Sequence, residues 1–389
     1  MVSQTRLRSS PPTIVFAGGG TGGHLFPAIA VAEALRSRMP QVKCVFFGTN
    51  RAIDANVVGQ TDHELVRQHL PPLRSAPWRW PEMAYGYWRE TRRCRARFAI
   101  DAPIAVVGSG SISSVIAVRE AHRMGIPIAL LNPDVLPGRA NRHLAPMAKT
   151  VFAQWTETLD HFPHHSDVRA VGCPVRPDFK HATRDHGLAR FGLDSNRYTL
   201  LITGASQGAR TLNDAVLANL AFLESFDDWQ VLHLSGETDF KRVSEAYARR
   251  NVRRCVLPFT LDMAEALAVA DLVVSRAGAS TLAELTVVGR PSVLLPYPFH
   301  KDMHQLANAK CLERAGSARI VEDRIDSAKT APVLKRTLEP LMASEELRRS
   351  MADAARRSAP SSPADAIADG IMQLVGLAGA TQVCELVMP

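Results

Sequence analysis

The apolar positions of this chain fall into short runs that are separated by segments of helical length. The first run, 13–17, is followed by a glycine-rich turn at 18–23 and by a helical segment that opens near Pro27. The same order returns with a run at 198–203 and a glycine turn at 204–209. A strand, a glycine turn and a helix typically open a doubly wound domain. Two such openings, half a chain apart, predict two domains.

Further apolar runs extend both halves of this pattern. Such runs are typical of parallel strands that are buried on both faces. The strands are predicted at 42–47, 105–107 and 128–131 in the first half and at 272–274 and 292–295 in the second, with a helix at 212–223. We therefore expect the α/β class, with a Rossmann-like domain at 12–175, a second at 186–357, and a C-terminal helical segment at 364–389 that can pack on either domain.

Length and composition narrow the class of protein. A chain of 389 residues with 46% hydrophobic and 22% charged residues is typical of a folded globular protein with two domains. The six cysteines form no C-x-x-C pair, which favours a reducing cytosol. No apolar run reaches the roughly 18 residues that a membrane-spanning helix needs. The net charge of +8 favours anionic partners, and any membrane contact is expected to be peripheral.

The first glycine turn is a candidate binding site. Its sequence, 18–23, matches G-x-G-x-x-G, the fingerprint of dinucleotide sites. Such sites need an acidic residue at the end of the second strand, and 46–50 contains none. Glycines also let the backbone and a helix N-terminus approach an anion or a sugar. Anion or sugar binding is therefore favoured over NAD binding, and a purely structural turn stays an alternative.

The second glycine turn contains a serine that two chemistries can use. Residues 204–208 match G-x-S-x-G, in which Ser206 would be a hydrolase nucleophile with His300 or His304 as its base. The Ser206 hydroxyl and nearby backbone N–H groups can instead hold a phosphate. Because this turn opens a second α/β domain in mid-chain, we favour phosphate binding.

Polar residues follow two later strands of the second half. Glu284 lies near the start of a predicted helix, where a carboxylate can accept hydrogen bonds from ribose hydroxyls or simply favour the helix N-terminus. The segment 298–308 has more polar groups than a core loop needs. Both lie after strand carboxyl ends, where open α/β sheets bind ligands.

Together, these motifs resemble the MurG family, glycosyltransferases that move N-acetylglucosamine from UDP-N-acetylglucosamine to lipid I, a lipid-linked muramyl-pentapeptide. The resemblance runs from about residue 13 to about residue 330, and its matching segments are 17–28, 172–176, 204–213, 276–284 and 300–308. It implies the GT-B fold, in which two Rossmann-like domains face a cleft, and a role in peptidoglycan synthesis at the cytoplasmic face of the cell inner membrane.

The resemblance also implies roles for individual residues. His24 matches the proposed general base, and Thr21, Gly22 and Gly23 would face the donor sugar and the lipid diphosphate. The remaining residues are implied as follows: Arg176 and Ser206 hold the nucleotide diphosphate, Thr260 meets the uracil, Ala279, Ser280 and Thr281 line the phosphate pocket, Glu284 binds the ribose, and His304 and Gln305 contact the sugar.

The chain departs from the family pattern mainly in its first half. Residues 131–134 read Leu-Asn-Pro-Asp where the family has His-Glu-Gln-Asn, and 110–112 reads Gly-Ser-Ile where it has Gly-Gly-Tyr. Asp134 and Asn141 are expected to contact the acceptor side, and His304 replaces a glutamine. These changes leave two alternatives open, namely another lipid acceptor and a non-catalytic sugar-nucleotide binding protein.

Inverting transfer needs a base at the acceptor hydroxyl and positive charge at the leaving diphosphate. An imidazole with a pKa of about 6.5 can accept a proton at neutral pH, so His24 is the candidate base; a helix-capping or core histidine is the alternative. Arg176 and helix N-termini can stabilise the diphosphate. The chain has no D-x-D motif, so neither a metal nor a cofactor is predicted.

The segment from Arg74 to Arg97 concentrates basic and aromatic residues. It contains seven arginines, three tryptophans and two tyrosines against two glutamates. This mixture suits the headgroup layer of an anionic membrane. It can also bind single-stranded nucleic acid, and a third interpretation buries the tryptophans in the core. Because a lipid-linked acceptor lies in a membrane, we expect a membrane surface and no nucleic acid.

Overall fold

The computed structural model describes residues 11–70, 80–165, 167–204, 208–299 and 302–377. These residues form two compact units. The N-terminal unit contains the described residues up to Pro133, together with Pro137–Pro174 and those from Ser362 onward. The C-terminal unit contains Asp134–Leu136 and Val175–Ser361.

The N-terminal unit is built on a parallel sheet of seven strands in the order β3-β2-β1-β4-β5-β6-β7. Its central strands are buried on both faces, which explains their continuous apolar sequence. The strands are β1 Thr13–Ala17, β2 Lys43–Thr49, β3 Glu64–Gln68, β4 Ala105–Gly108, β5 Ile128–Asn132, β6 Thr150–Ala153 and β7 Val168–Ala170.

Six helices belong to the N-terminal unit as the structure describes it. They are α1 Gly22–Arg38, α2 Ala52–Val58, α3 Trp80–Asp101, α4 Ile112–Arg123, α5 Arg139–Leu144 and α16 Pro363–Leu374. The sequence left open where the last helix packs. Ile367 and Ile371 of α16 join the buried core of β1 and β2, so α16 packs on the N-terminal unit.

Helix α1 begins earlier than the sequence indicated. We expected it to open near Pro27, but it begins at Gly22, and Pro27 is its sixth residue. Pro27 lies just past the first turn, so it removes one hydrogen bond, the one that an N–H at this position would donate to the carbonyl of Gly23. The glycines at the end of the turn are therefore already helical.

The C-terminal unit repeats the architecture with six parallel strands in the order β10-β9-β8-β11-β12-β13. The strands are β8 Tyr198–Thr203, β9 Trp229–Leu234, β10 Arg254–Leu257, β11 Leu272–Ser275, β12 Ser292–Leu294 and β13 Ala318–Ile320. The helices are α6 Asp178–His181, α7 Arg184–Phe191, α8 Arg210–Leu217, α9 Leu220–Glu224, α10 Phe240–Ala248, α11 Met263–Val269, α12 Ala279–Val288, α13 His304–Arg314, α14 Ser327–Ala343 and α15 Glu345–Ser358.

The helix predicted at 212–223 is interrupted between α8 and α9. Asn219 lies at the break, and its Nδ2 donates to the carbonyl oxygens of Ala215 at 3.0 Å and Ala331 at 2.9 Å. Asparagine side chains compete with the helix for backbone hydrogen bonds. The break therefore depends on a contact with α14, more than one hundred residues away, which no local pattern indicates.

In each unit the carboxyl ends of the parallel strands lie at one edge of the sheet. In the N-terminal unit this edge contains the first glycine turn and the loops after β2, β4 and β5. In the C-terminal unit it contains the second glycine turn and the loops after β10, β11 and β12. None of the helices that the structure describes is long and apolar enough to cross a membrane.

Candidate functional site

The first glycine turn packs against the loops that follow β2 and β4. A Cβ on Gly19 would lie 2.2 Å from Oδ2 of Asp54, so no side chain fits there. Gly20 has a φ of +87°, a conformation that L side chains rarely adopt. The turn is thus fixed on one side by neighbouring loops, while Thr21, the residue before α1, is exposed.

His24, in the first turn of α1, is half-buried, and a hydrogen bond to the end of β4 orients its ring. Its Nδ1 lies 2.7 Å from the carbonyl oxygen of Ser109, at the end of β4. A carbonyl only accepts, so Nδ1 carries the proton, and in the neutral ring Nε2 carries the lone pair. A Cβ on Gly110 would lie 3.1 Å from the ring carbon Cε1. The contact with Ser109 therefore fixes the tautomer in which Nε2 is the basic nitrogen, as a general base requires.

Asn141 lies close to the same histidine. Its Nδ2 donates to the carbonyl oxygen of Leu131 at 2.9 Å and to Oδ1 of Asn132 at 3.0 Å. Its own Oδ1 is buried and accepts no hydrogen bond from the part of the chain that the structure describes. That oxygen lies 3.7 Å from the position of a Cβ on Gly110. A buried acceptor near the candidate base can bind a substrate hydroxyl or amide.

A cavity of about 730 Å³ opens beside the first glycine turn, within the N-terminal unit. Thr21 and His24 line it, together with Ile112, the first residue of α4. Arg51 and Arg89 line it as well. An anion in this cavity would meet the N-termini of α1 and α4, where the helix dipoles favour negative charge. Glu82 also lines the cavity, so one acid faces two arginines and two helix N-termini, and the surroundings still favour an anion such as a phosphate.

The second glycine turn closes against the end of β9. Gly208 has a φ of +73°, and a Cβ there would lie 2.6 Å from the carbonyl oxygen of Ser235. Helix α8 begins at Arg210, directly after the turn. Ser206, which the sequence assigned to the diphosphate, lies outside the described residues, as does His300. The role of Ser206 stays a prediction.

Arg176 and Glu284 lie near each other in the C-terminal unit. Glu284 is half-buried in α12. Burial raises the pKa of Glu284 to about 7, and the positive charge of Arg176 partly opposes this rise. The Arg176 guanidinium lies 5.3 Å from the centre of the Phe179 ring, and its Nη1 lies 3.5 Å from Oδ2 of Asp178. The structure thus brings together the residues assigned to the ribose and the diphosphate.

The remaining predicted contacts lie at the same edge of this sheet. Oε1 of Gln305 accepts from the backbone N–H groups of Ala277 at 3.2 Å and Tyr297 at 2.9 Å. These bonds join the loops that follow β11 and β12. Nδ1 of His304 lies 2.9 Å from Oδ1 of Asp302. The side chain of Gln305 therefore also holds these two loops together at this edge of the sheet.

Thr260 and the first turn of α12 complete this part of the site. Oγ1 of Thr260 accepts from the N–H of Asp262 at 3.0 Å, so the hydroxyl fixes its own loop. Oγ of Ser280 is buried and has no hydrogen-bond partner within the described ranges. Ala279 and Thr281 flank it in the first turn of α12. Backbone N–H groups of this turn can bind an anion.

Asp134 lies in the C-terminal unit, although its sequence position suggested the acceptor domain. Its Oδ1 accepts from Nδ2 of Asn308 at 2.7 Å, and the N–H of Val135 donates to Oδ1 of Asn308 at 2.9 Å. The amide of Asn308 thus binds two groups of a segment 174 residues away. Asp134 therefore has a structural partner, and its contact with substrate stays a prediction.

Two buried polar residues at these edges were not identified from the sequence. Arg276, at the end of β11, donates to the carbonyl oxygen of Leu295, to Oδ2 of Asp323 and to Oγ1 of Thr211. Asp54 accepts from the glycine turn. In the sequence, Asp54 is marked only by its position shortly after β2. It lies beyond the end of that strand, where the acid of a dinucleotide site binds the ribose.

The family models and the curated relatives agree on one family. The N-terminal domain model of glycosyltransferase family 28 matches residues 14–153, and the C-terminal domain model of that family matches residues 199–367. One relative, from Sorangium cellulosum, is 38% identical over 372 residues, which is 93% of this chain and 88% of the relative. Another, from Thermodesulfovibrio yellowstonii, is 35% identical over 316 residues, 80% of this chain and 85% of the relative.

Both relatives are named UDP-N-acetylglucosamine–N-acetylmuramyl-(pentapeptide) pyrophosphoryl-undecaprenol N-acetylglucosamine transferase. Among solved structures, Acinetobacter baumannii MurG matches with a TM-score of 0.73 and 25% identity, over 93% of this chain and all of that one. The calicheamicin glycosyltransferase CalG4, 15% identical with a TM-score of 0.60 over 95% of this chain and 99% of its own, shares the fold alone. These matches confirm the GT-B fold class, and the chain belongs to the MurG family of glycosyltransferases.

Proposed function

We propose that this protein transfers N-acetylglucosamine from UDP-N-acetylglucosamine to a lipid-linked muramyl-pentapeptide, as the names of its relatives state for them. The observation that carries the proposal is the geometry of His24. Its ring is fixed by Ser109, and it lines a cavity with the helix N-termini that a lipid diphosphate needs.

The chemical step is a single displacement with inversion. Nε2 of His24 takes the proton of the acceptor hydroxyl while the acceptor oxygen bonds to the anomeric carbon of the donor sugar. The bond from that carbon to the UDP oxygen breaks, and UDP leaves with the electron pair. The transition state resembles an oxocarbenium ion, and positive charge near the diphosphate lowers the barrier.

The C-terminal unit supplies the donor site in this proposal. Arg176 and the N-termini of α8 and α12 stabilise the diphosphate, and Glu284 accepts hydrogen bonds from the ribose hydroxyls. Thr260 meets the uracil through its backbone, and His304 and Gln305 contact the sugar. The N-terminal unit supplies the acceptor site, with the lipid diphosphate at the N–H groups of α1.

A transfer assay tests the function. Radiolabelled UDP-N-acetylglucosamine and purified lipid I are incubated with the protein, and labelled lipid II is measured. His24→Ala should lower turnover by at least about 100-fold, the usual contribution of a general base, without weakening UDP binding. His122→Ala, an exposed histidine of α4, is the control. UDP binding without transfer by the wild type would overturn the enzyme proposal, and transfer only to another lipid would overturn the acceptor.

Helix α3 is the proposed membrane-binding element. Three of its aromatic side chains are largely solvent-exposed, with exposed fractions of 59% for Trp80, 62% for Tyr85 and 53% for Trp88, whereas Phe98 is buried in the core. The Arg92 guanidinium lies 5.0 Å from the Trp88 ring centre. Trp80 and Trp88 are therefore not core residues, which was one interpretation of the sequence. Exposed aromatic rings beside arginine suit an anionic lipid surface.

Ion pairs reduce the charge excess that the sequence indicated for α3. Arg95 pairs with the buried carboxylate of Glu120 at 2.9 Å, and Arg93 pairs with Glu90 at 3.0 Å. Arg97 pairs with carboxylates from both β3 and α3. Insertion of the aromatic rings is thus the larger part of the proposed attraction, with Arg92 adding charge. Trp78 and the arginines at 74 and 79 lie outside the described residues.

A further inference from the structure

Gly20 is held at both its polar groups by the segment that follows β2. Its N–H donates to Oδ1 of Asp54 at 2.8 Å and to Oδ2 at 3.1 Å. Its carbonyl oxygen accepts from Nη1 of Arg51 at 3.0 Å. Both partners lie more than thirty residues away in the sequence. The conformation of the first glycine turn therefore depends on residues outside it.

Asp54 is fully buried, with 0% of its surface exposed. Besides Gly20, its carboxylate accepts from the N–H of Thr49 at 2.6 Å and from Oγ1 of Thr49 at 3.0 Å. All of these donors are uncharged. A buried carboxylate is costly unless its oxygens are bound, and these bonds join the end of β2, the first turn of α2 and the glycine turn. Asp54 is thus a fixed junction between three segments.

The junction decides which backbone N–H groups a ligand can use. The N–H of Gly18 donates to the carbonyl oxygen of Phe47 at 3.1 Å, and that of Gly19 to Oγ of Ser111 at 3.4 Å. With Gly20 bound to Asp54, the first three glycines of the turn have internal partners. The next N–H groups belong to the start of α1, before the helix makes its own i to i−4 bonds, and that of His24 already donates to the carbonyl oxygen of Thr21 at 3.3 Å.

We propose that Asp54 is a positioning residue for sugar transfer. It fixes the first glycine turn so that the N-terminus of α1 and the ring of His24 keep the geometry that binds and activates the acceptor. This inference rests on the proposed function, because the acceptor is the ligand of that turn. A run of glycines has high conformational entropy when it is unconstrained, so the turn needs such a partner.

Asp54→Asn tests this inference in the full-length protein. Asparagine keeps the shape, but its Nδ2 would face an N–H group that the carboxylate now accepts, so the turn should shift. We expect kcat/KM for the lipid acceptor to fall roughly tenfold to hundredfold, as for small misplacements of reacting groups. The affinity for UDP should not change, because the nucleotide binds the C-terminal unit, whereas the first glycine turn would face the donor sugar and the acceptor.

Two further variants keep the test decisive. Arg51→Ala removes the other contact to Gly20 from an exposed side chain and should raise the acceptor KM even if Asp54→Asn folds poorly. Asp62→Asn, an exposed acid of the same unit, should leave both substrates unaffected. Equal losses of UDP affinity and of acceptor kcat/KM, together with a lower melting temperature, would reduce Asp54 to a structural role, and unchanged acceptor kinetics would exclude it as a positioning residue. Wild-type transfer by itself decides the proposed function.

Discussion

The carboxyl group of Glu284 lies in surroundings that penalise its charge. Burial raises the pKa of Glu284 to about 7 from an ordinary value of 4.5, against the opposing charge of Arg176. Its protonation therefore changes near neutral pH. A ribose diol donates hydrogen bonds best to the ionised form, so donor affinity should depend on pH in this range.

We expect the KM for UDP-N-acetylglucosamine to rise as the pH falls below about 7. Glu284→Gln should have a raised KM with little pH dependence, and Glu322→Gln, an exposed glutamate of the same unit, should behave like the wild type. Initial rates at fixed acceptor concentration between pH 6 and pH 8 measure this. A pH profile shared by the wild type and Glu284→Gln would exclude Glu284 as its source.

The same shift has a consequence for stability, with a defined sign. The folded-state pKa of Glu284 is raised, so folding favours the protonated carboxyl. The resulting contribution to the free energy of unfolding is full below the ordinary pKa of 4.5 and is lost as the pH rises through about 7. Glu284→Gln should therefore unfold at a higher temperature than the wild type above pH 7, and this advantage should shrink as the pH falls. Thermal unfolding by circular dichroism at both ends of the range measures it.

Single residues also mark the limit of sequence reasoning about the site. His24 and Glu284 could be predicted as site residues because they lie within short motifs, and their roles stay predictions. Asp54 could not, because its significance depends on Gly20, which is 34 residues away. Asp134 was assigned to the acceptor side from its position, yet it hydrogen-bonds Asn308, 174 residues later. Pairings across such distances leave no local pattern.

At the scale of elements, the packing of α16 on α1 is the least expected feature. Ile371 and Ile367 are buried in the core of the N-terminal unit. A Cβ on Gly370 would lie 2.5 Å from the Phe152 ring, so the helix lies directly against β6. Arg38 of α1 pairs with Asp365 and Asp369 of α16, each at 2.7 Å. The C-terminal helix is thus part of the N-terminal core.

Truncating one side chain of α16 should therefore destabilise the N-terminal unit. Ile371→Ala should cost about 2–5 kcal/mol of unfolding free energy, the usual cost of a buried Ile-to-Ala change. Asp369→Asn, which removes one exposed ion pair, should cost no more than about 1 kcal/mol. Denaturant unfolding measures both. Equally small losses of unfolding free energy in both variants would contradict the burial of Ile371 in the N-terminal core.

Elements were predictable where local signals agreed. The strand expected at 198–203 coincides with β8, because a continuous apolar run is bounded by a glycine turn. The predicted start of α1 near Pro27 and the predicted continuous helix at 212–223 were both wrong, for different reasons. Two helical glycines precede Pro27, and Asn219 bonds a carbonyl of α14. Backbone tolerance and distant contacts override propensity in these places.

At the scale of the whole molecule, the proposed membrane contact through α3 predicts binding to anionic vesicles. The protein should sediment with vesicles that contain phosphatidylglycerol and much less with pure phosphatidylcholine vesicles. Replacing Trp80, Tyr85 and Trp88 together by serine should abolish this binding, because these rings are exposed and suit the interface. Added salt should weaken binding only in part, since ion pairs already neutralise several arginines of α3.

The matched control is Met124→Ser, which replaces an exposed apolar residue at the end of α4. It should sediment like the wild type. Binding of the triple variant at the wild-type level would exclude α3 as the membrane contact. Tight binding of a single-stranded oligonucleotide that competes with vesicles would instead favour the nucleic-acid interpretation of this segment.

The sequence by itself determined the class of fold, the two glycine turns and the family. These features depend on hydrophobic periodicity and on the backbone freedom of glycine, which short segments encode. Only the tertiary structure decided that Asp54 holds Gly20, that burial raises the pKa of Glu284, and that α16 completes the N-terminal core. Burial, charge and hydrogen-bond partners arise when distant segments meet, so no local pattern contains them.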